Sequence, residues 1–372
     1  MNIWGEALRL SIFGESHGAA IGIVIDGLPG GIPLDMDQIR AEMQRRAPGR
    51  DALSTPRKEA DQVEIVSGFF EGRTTGTPLT GLIYNTNTRS KDYQKDVIRP
   101  GHADYTGFVR YGAAHDYRGG GHFSGRITAP LVFAGAVAKQ LLKRRGVTVG
   151  AHISRLGSIA DKPFDPVSLT GAQAAAAGQK PFPVLDDAAG AAMQKAILDA
   201  RGRQDSVGGV VECAVCGMPA GAGAPFFGSV ESRLSSLLFS IPAVKGVAFG
   251  LGFGFADVTG KEANDEFYVK DGKIYTHTNH NAGVNGGITN GMPLLFTTVI
   301  KPTPSIAQPQ RTVDLSKMEN VVHTVHGRHD PCIVQRAVVV VEAAAALTML
   351  DLLMDDKVQN KGEKAEGERD RL

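Results

Sequence analysis

Apolar residues fall into strand-like runs at the start of the chain. Leu8–Phe13 and Ala20–Gly27 flank a glycine-rich turn, and Gln62–Phe70 and Leu79–Tyr84 alternate polar and apolar residues around Thr-Thr-Gly-Thr-Pro, as a hairpin does. Between these pairs the period becomes helical. Asp35 with Gln38 fits a capping box, Leu34 with Ile39 fits a hydrophobic staple, Ile39 and Met43 share a face, and Pro48–Gly49 ends the helix. Further helices are expected at Pro130–Arg145, Asp187–Ala200, Val230–Phe239 and Gln335–Met354. Strands are expected at Val207–Val215, Val244–Gly250 and Pro293–Ile300. Strands and helices come in mixed order without a repeating βαβ unit, which points to an α+β fold. Asp161–Pro183, rich in Pro and Ala, reads as a surface excursion. One catalytic domain is expected over residues 1–357, and the charged stretch 358–372 is expected to be a disordered tail.

Composition narrows the function. Forty Lys+Arg against thirty-nine Asp+Glu give a net charge of +1, which argues against a nucleic-acid partner or a polybasic membrane anchor. No apolar run is read as approaching the ~20 residues of a membrane span. The opening MNIWGEALRLSIFGES has no basic region followed by an apolar run, so no signal peptide is expected. Three cysteines without a secreted pattern fit a reducing cytoplasm. The 46 glycines exceed the usual ~7% and are clustered, so the backbone must turn tightly or approach something closely at particular places.

Four polar segments carry candidate chemistry. Gly14-Glu15-Ser16-His17-Gly18 puts an imidazole beside a hydroxyl between glycines. Arg99-Pro100-Gly101-His102-Ala103-Asp104 brings together a guanidinium, an imidazole and a carboxylate. Asp116-Tyr117-Arg118-Gly119-Gly120-Gly121-His122-Phe123-Ser124-Gly125-Arg126 precedes a helix, and its glycine amides with the helix dipole suit an anion. It is neither a Rossmann nor a P-loop pattern. Gly327-Arg328-His329-Asp330-Pro331-Cys332 holds Asp330 extended before a proline.

Each segment alone also reads as a plain loop or turn, and rival chemistries exist. A zinc hydrolase would draw on His323, His326 and His329, or on His277 and His280, but no His-Glu-x-x-His is present. Cys213-x-x-Cys216 lies in an apolar run and reads as core. A Ser16–His17 hydrolase dyad is disfavoured because adjacent side chains usually diverge and no Gly-x-Ser-x-Gly occurs.

Taken in order, GESHG, RPGHAD, YRGGG-x-x-S-x-R and GRHDPC resemble the chorismate synthase family. So do DQVEI-x-SG-x-FEG-x-TTGTP, AVKGV, the Asn279–Gly291 run and KPT-x-SI, from about Leu10 to Leu353. The resemblance implies a single-domain β-α-β sandwich, a helical core flanked by antiparallel sheets, assembled as a homotetramer. It implies a phosphate lyase that converts 5-enolpyruvylshikimate-3-phosphate to chorismate by 1,4-anti elimination. Reduced FMN is required without net oxidation, and is reduced either with NADPH or by an outside flavin reductase.

By the same resemblance His17 protonates the leaving phosphate, His102 lies by the flavin N1/O2 edge, and Asp330 with the flavin N5 removes the C6 proton. Ser16 and Ser124 relay protons or orient those groups. Arg46, Arg99, Arg126 and Arg328 meet the substrate's two carboxylates and phosphate, for which a planar guanidinium is suited. Flavin contacts carried over are His122, Phe123, Ser124, Pro242, Ala243, Gly286, Lys301, Pro302, Thr303, Pro304, Ser305 and Arg328. NADPH would meet Arg46 and Arg50. The chain departs from the family pattern at His122-Phe123-Ser124, where Arg-Ser-Ser is common, and at Ala52, where a second arginine is common. A binding module without catalysis is the non-enzyme alternative; retention of every acid–base candidate argues against it.

Overall fold

The computed structural model describes residues 2–49, 51, 53–54, 59–87, 93–325, 327 and 330–355. The expected tail at 358–372, together with Arg50, Ala52, His326, Arg328 and His329, lies outside them.

Two antiparallel sheets enclose a helical layer. The first runs Ile3–Trp4, Arg9–Gly14, Ala20–Asp26, Leu79–Tyr84, Glu64–Ser67 in spatial order. The second runs Val244–Phe249, Leu294–Ile300, Gly209–Cys216, Thr148–Leu156, Ile159–Ala160. Ile21, Ile23 and Ile25 alternate into the core, the period-two signature that made this strand legible. The hairpin forms too, as Glu64–Ser67 pairs with Leu79–Tyr84.

The helices Thr128–Arg144 and Val334–Met354 lie face to face between the sheets. Their closest approach needs Gly135, where a Cβ would fall 2.2 Å from that of Ala343. Thr128–Arg144 packs on the first sheet through Phe133, whose ring fills the space a side chain at Gly81 would need. Val334–Met354 meets the second sheet, and buried Glu342 anchors it there. Glu342 accepts the Ala151 amide (3.1 Å) and pairs with Arg45 (2.6 Å) and Lys139 (2.5 Å). Asp351 on the same helix accepts the amides of Ala7 and Leu8, each at 2.8 Å, and pairs with Arg233 (2.7 Å). Each buried carboxylate is thus matched by cations or amides, without which it would be strongly destabilising.

Two expectations need correction, and one strand went unread. Val334–Met354, at 21 residues, is long and apolar enough to cross a membrane by length and composition, though almost all of it is buried inside the protein. Asp161–Pro183 is not a mere surface excursion. It contains the helix Gly171–Gln179, capped reciprocally by Thr170 and Gln173, with Ala174 and Ala177 buried against the sheet at Gly150. Its small alanines and glycines give little apolar periodicity to read. The strand Thr148–Leu156 was missed because it is covered on both faces, so its residues do not alternate. The first helix, Met36–Arg46, starts where expected, with the Asp35 carboxylate accepting the Asp37 and Gln38 amides.

Candidate active site

The turn between Arg9–Gly14 and Ala20–Asp26 carries Ser16 and His17, both buried. Their side chains do not diverge, contrary to expectation: Ser16 Oγ lies 3.1 Å from His17 Nδ1. The hydroxyl also lies within reach of the Gly119 and Arg118 carbonyls, at 3.2 and 3.3 Å. The Ser16 amide donates to the Gly121 carbonyl (3.1 Å), which ties this turn to the triple-glycine segment.

Gly119, Gly120 and Gly121 all have left-handed φ, at 60°, 85° and 51°. Glycine is required there twice over: side chains resist that conformation, and none would fit. A Cβ at Gly119 would fall 2.1 Å from His17 Cε1, and one at Gly120 would fall 3.0 Å from His102 Cε1. The glycines therefore form a floor on which two histidines from distant segments rest. This replaces the expected anion cradle at a helix start. The helix begins only at Thr128, after a separate turn at Gly125–Ile127, where Ser124 Oγ accepts the Arg126 amide (3.4 Å).

Around His102, Asp104 accepts from the ring Nδ1 (2.7 Å), the Arg99 amide (3.0 Å), Arg99 Nε (2.8 Å) and Arg99 Nη2 (2.7 Å). Arg99 reaches on toward Ser305 Oγ (3.4 Å), and Lys301 Nζ donates to the Gly101 carbonyl. Burial pushes the His102 pKa down. The hydrogen bond to Asp104 opposes this, Arg99 and Lys301 reinforce it, and the net shift is downward. Tyr93, which carried no sequence signal, stands edge-on to His17 with ring centroids 5.3 Å apart and under the Arg99 guanidinium at 5.4 Å. A small cavity adjoins this group, lined in part by Tyr93, Lys95, Arg99, Asp104, His115 and His323.

Arg46 and Arg126 are buried and already paired. Asp61 lies between them, 2.6 Å from Arg46 Nη1 and 2.7 Å from Arg126 Nη1, and Glu59 takes Arg126 as well at 2.7 Å. Burial raises the pKa of Asp61, but the two guanidiniums outweigh it and hold the carboxyl below its usual range. Arg46 also donates to the Gly125 carbonyl (2.9 Å), and Arg126 donates to Asn85 Oδ1 (2.5 Å). Asn85 in turn donates to the Glu15 and Gly18 carbonyls (2.9 and 2.8 Å), joining the arginine pair to the His17 turn. Asp330 is paired with Arg336 (2.7 Å), whose Nε donates to the Arg46 carbonyl (2.9 Å). The expected neighbour Arg328 lies outside the described residues, as does Arg50.

The carried-over flavin contacts fall in several places. Lys301, Pro304 and Ser305 lie beside Gly101 and Arg99, and the Lys301 amide donates to Ala243 (2.9 Å), next to Pro242. Pro302 packs against Gly208. His122 is held by the Gly14 carbonyl (2.8 Å), and Phe123 packs on Gly107 and Tyr111 in the helix Asp104–Tyr111. Gly286 turns a short hairpin, Val284–Asn285 with Ile288–Thr289, and has no described contact with the others. Thr303 Oγ1 is a buried hydroxyl with no partner among the described residues. An orphaned hydroxyl between Lys301 and Ser305, with Arg99 nearby, fits a polar anionic cofactor.

Among the described residues, no group of three metal-ligating side chains occurs. Cys213 and Cys216 are buried, and burial raises both thiols, Cys216 to about 11, as the core reading expects.

The chorismate synthase family model matches residues 8–354. The chain belongs to the chorismate synthase family. It is 48% identical over 353 residues to the chorismate synthase of Methanothermobacter thermautotrophicus, covering 94% of this chain and 93% of the relative. It is 46% identical to that of Thermococcus kodakarensis, covering 94% and 97%. A crystal structure of chorismate synthase superposes with a TM-score of 0.74 at 26% identity, covering 95% of this chain and 93% of that one. The family fold is the α+β sandwich described above, and the family reaction is a lyase step that eliminates phosphate to give chorismate, in the shikimate route to aromatic amino acids.

Proposed function

We propose that this chain catalyses that elimination at the glycine floor, with His17 as the acid for the leaving phosphate. The observation that carries the reading is the meeting of His17 and His102 on consecutive glycines, beside Arg99 and Lys301. A phosphate leaves poorly unless its oxygen is protonated or neutralised, and a buried imidazole supported by Ser16 supplies the proton. Lys301 and the remaining Nη1 face of Arg99, whose Nε and Nη2 hold Asp104, would supply counter-charge to the substrate's anionic groups. Arg46 and Arg126, already satisfied by Asp61 and Glu59, act by shaping the wall behind Gly125 and Ser124. Asp330, held by Arg336, is the chain's carboxylate for the C6 proton.

Lys301, Thr303 and Ser305 would hold FMN, with His102 toward its N1/O2 edge. Reduced FMN, when bound, supplies electron density to the breaking bonds and a proton acceptor at N5. Exposed Phe226, Phe227 and Phe253, at 86%, 93% and 93%, support an assembly that covers them, for which the family resemblance implies a homotetramer.

Rapid mixing of Asp330→Asn with reduced FMN and C6-deuterated substrate tests the reading. The amide keeps the shape but accepts no proton, so substrate and flavin should bind while turnover stalls at C6–H cleavage. Normal turnover, or simple loss of flavin binding, would remove Asp330 from the chemistry.

A further inference from the structure

We infer that Asp104 is a positioning residue that holds His102 as the Nδ1–H tautomer and presents Nε2, unprotonated, over Gly120. The inference rests on the reading of His102 as an active-site group, but its own evidence is local.

An ionised carboxylate only accepts hydrogen bonds, so the 2.7 Å contact between Asp104 Oδ1 and His102 Nδ1 requires a proton on that nitrogen. Asp104 is held ionised: burial disfavours its charge, but Arg99 and His102 outweigh this and keep its pKa far below the usual range. The competing arrangement has Nδ1 as an acceptor from Arg99 Nη2. That contact is the weaker one, 3.2 Å against the 2.7 Å from Nδ1 to Asp104 Oδ1. A bare Nδ1 would also face Oδ1 lone pair to lone pair.

Arg99 clamps the carboxylate through its amide, Nε and Nη2, so Asp104 cannot swing to suit the other tautomer. Asp104 is moreover the first residue of the helix Asp104–Tyr111, where the dipole favours a negative side chain. The far edge of the ring lies against the floor: a Cβ at Gly120 would be 3.1 Å from Nε2. With no side chain there, the Cε1–Nε2 edge meets whatever the floor holds, and Nε2 is its polar atom.

The chemical consequence is a direction of proton flow. Of the charged groups facing His102, Asp104 favours the protonated ring, but burial, Arg99 and Lys301 outweigh it and favour the neutral one. At neutral pH Nε2 therefore acts as an acceptor. A proton arriving there makes an imidazolium whose positive charge Asp104 stabilises through Nδ1–H.

Two-bond ¹H–¹⁵N correlation spectra of the full-length, flavin-free protein labelled at histidine test this, with His102 assigned by the signals lost in His102→Gln. In wild type at pH 8, Nδ1 should carry the proton and Nε2 should give the shift of a bare nitrogen. In Asp104→Asn the Nε2–H form should appear, because the amide can also donate to Nδ1, and the ring pKa should fall. Turnover of Asp104→Asn should drop at least about 10-fold, toward the 10²–10⁴ range for loss of an acid–base group, with KM little changed. An Nε2–H tautomer in wild type overturns the inference, as does an unchanged tautomer in a folded Asp104→Asn. Should Asp104→Asn fail to fold, the wild-type spectrum alone decides. A correct tautomer combined with a fully active His102→Gln would leave the inference standing and sink the catalytic reading of His102.

Discussion

Replacing Gly119 by alanine should uncouple the site without unfolding the protein. The added methyl would sit 2.1 Å from His17 Cε1, 2.2 Å from Nδ1 and 2.7 Å from Ser16 Oγ. Ordinary contact begins near 3.4 Å, so the imidazole or the floor must yield by about 1.3 Å. The ring has little freedom, since Tyr93 stands against it and Ser16 is anchored to the Arg118 and Gly119 carbonyls. Misplacing a catalytic group by about 1 Å costs on the order of 10²-fold. The backbone cost of a left-handed alanine is only roughly 1–2 kcal/mol, a few degrees of melting temperature. Gly146→Ala is the control: its φ of 74° closes the helix Thr128–Arg144 in the left-handed conformation, its amide and that of Val147 donating to the Lys143 and Leu142 carbonyls, yet nothing lies within 4 Å of its Cβ. Anaerobic initial rates at saturating substrate and thermal melts of both variants make the comparison. Gly119→Ala should lose about 10²-fold in turnover while Gly146→Ala stays near wild type, with similar melting temperatures. Equal activities in the two variants would refute the idea that the glycines serve His17.

Asp61→Asn leaves Arg46 and Arg126 without their shared carboxylate, and should cost about 3–5 kcal/mol in denaturant unfolding; a loss under about 1 kcal/mol would mean that Glu59 alone compensates both. Glu342 is pushed up by burial but held well below the ordinary carboxylate range by Arg45 and Lys139. A depressed folded pKa gives stability that is present above about 4.5 and lost as pH falls toward the folded value, so the acid limb of a stability–pH curve should flatten in Glu342→Gln; an unchanged limb would assign acid sensitivity elsewhere. His17→Ala should slow chorismate formation about 10²–10⁴-fold with flavin affinity little altered; a near wild-type rate at neutral pH would remove it from the mechanism.

What could be read from sequence and what could not have physical reasons. Periodicity marks elements that bury one face, which is why Ala20–Asp26 and Met36–Arg46 were legible. It fails where both faces are covered, as in Thr148–Leu156, or where the packed residues are alanines, as in Gly171–Gln179. The four polar segments announced His17, His102 and the glycines, because such residues interrupt an apolar chain. Their roles toward one another were hidden: three glycines before a helix look like an anion cradle, and only the fold shows two imidazoles lying on them. Asn85 and Tyr93 are single residues whose importance is purely spatial. Asp61 and Glu59 carry no local signal of their role, which exists only because Arg46 and Arg126 face them from other elements.

Anaerobic turnover of 5-enolpyruvylshikimate-3-phosphate with the purified chain, with and without reduced FMN, tests the central claim most directly. Chorismate and phosphate should appear in equal amounts only with reduced FMN, and the flavin should be reduced again at the end. Phosphate release without chorismate, or turnover indifferent to the flavin, would contradict it.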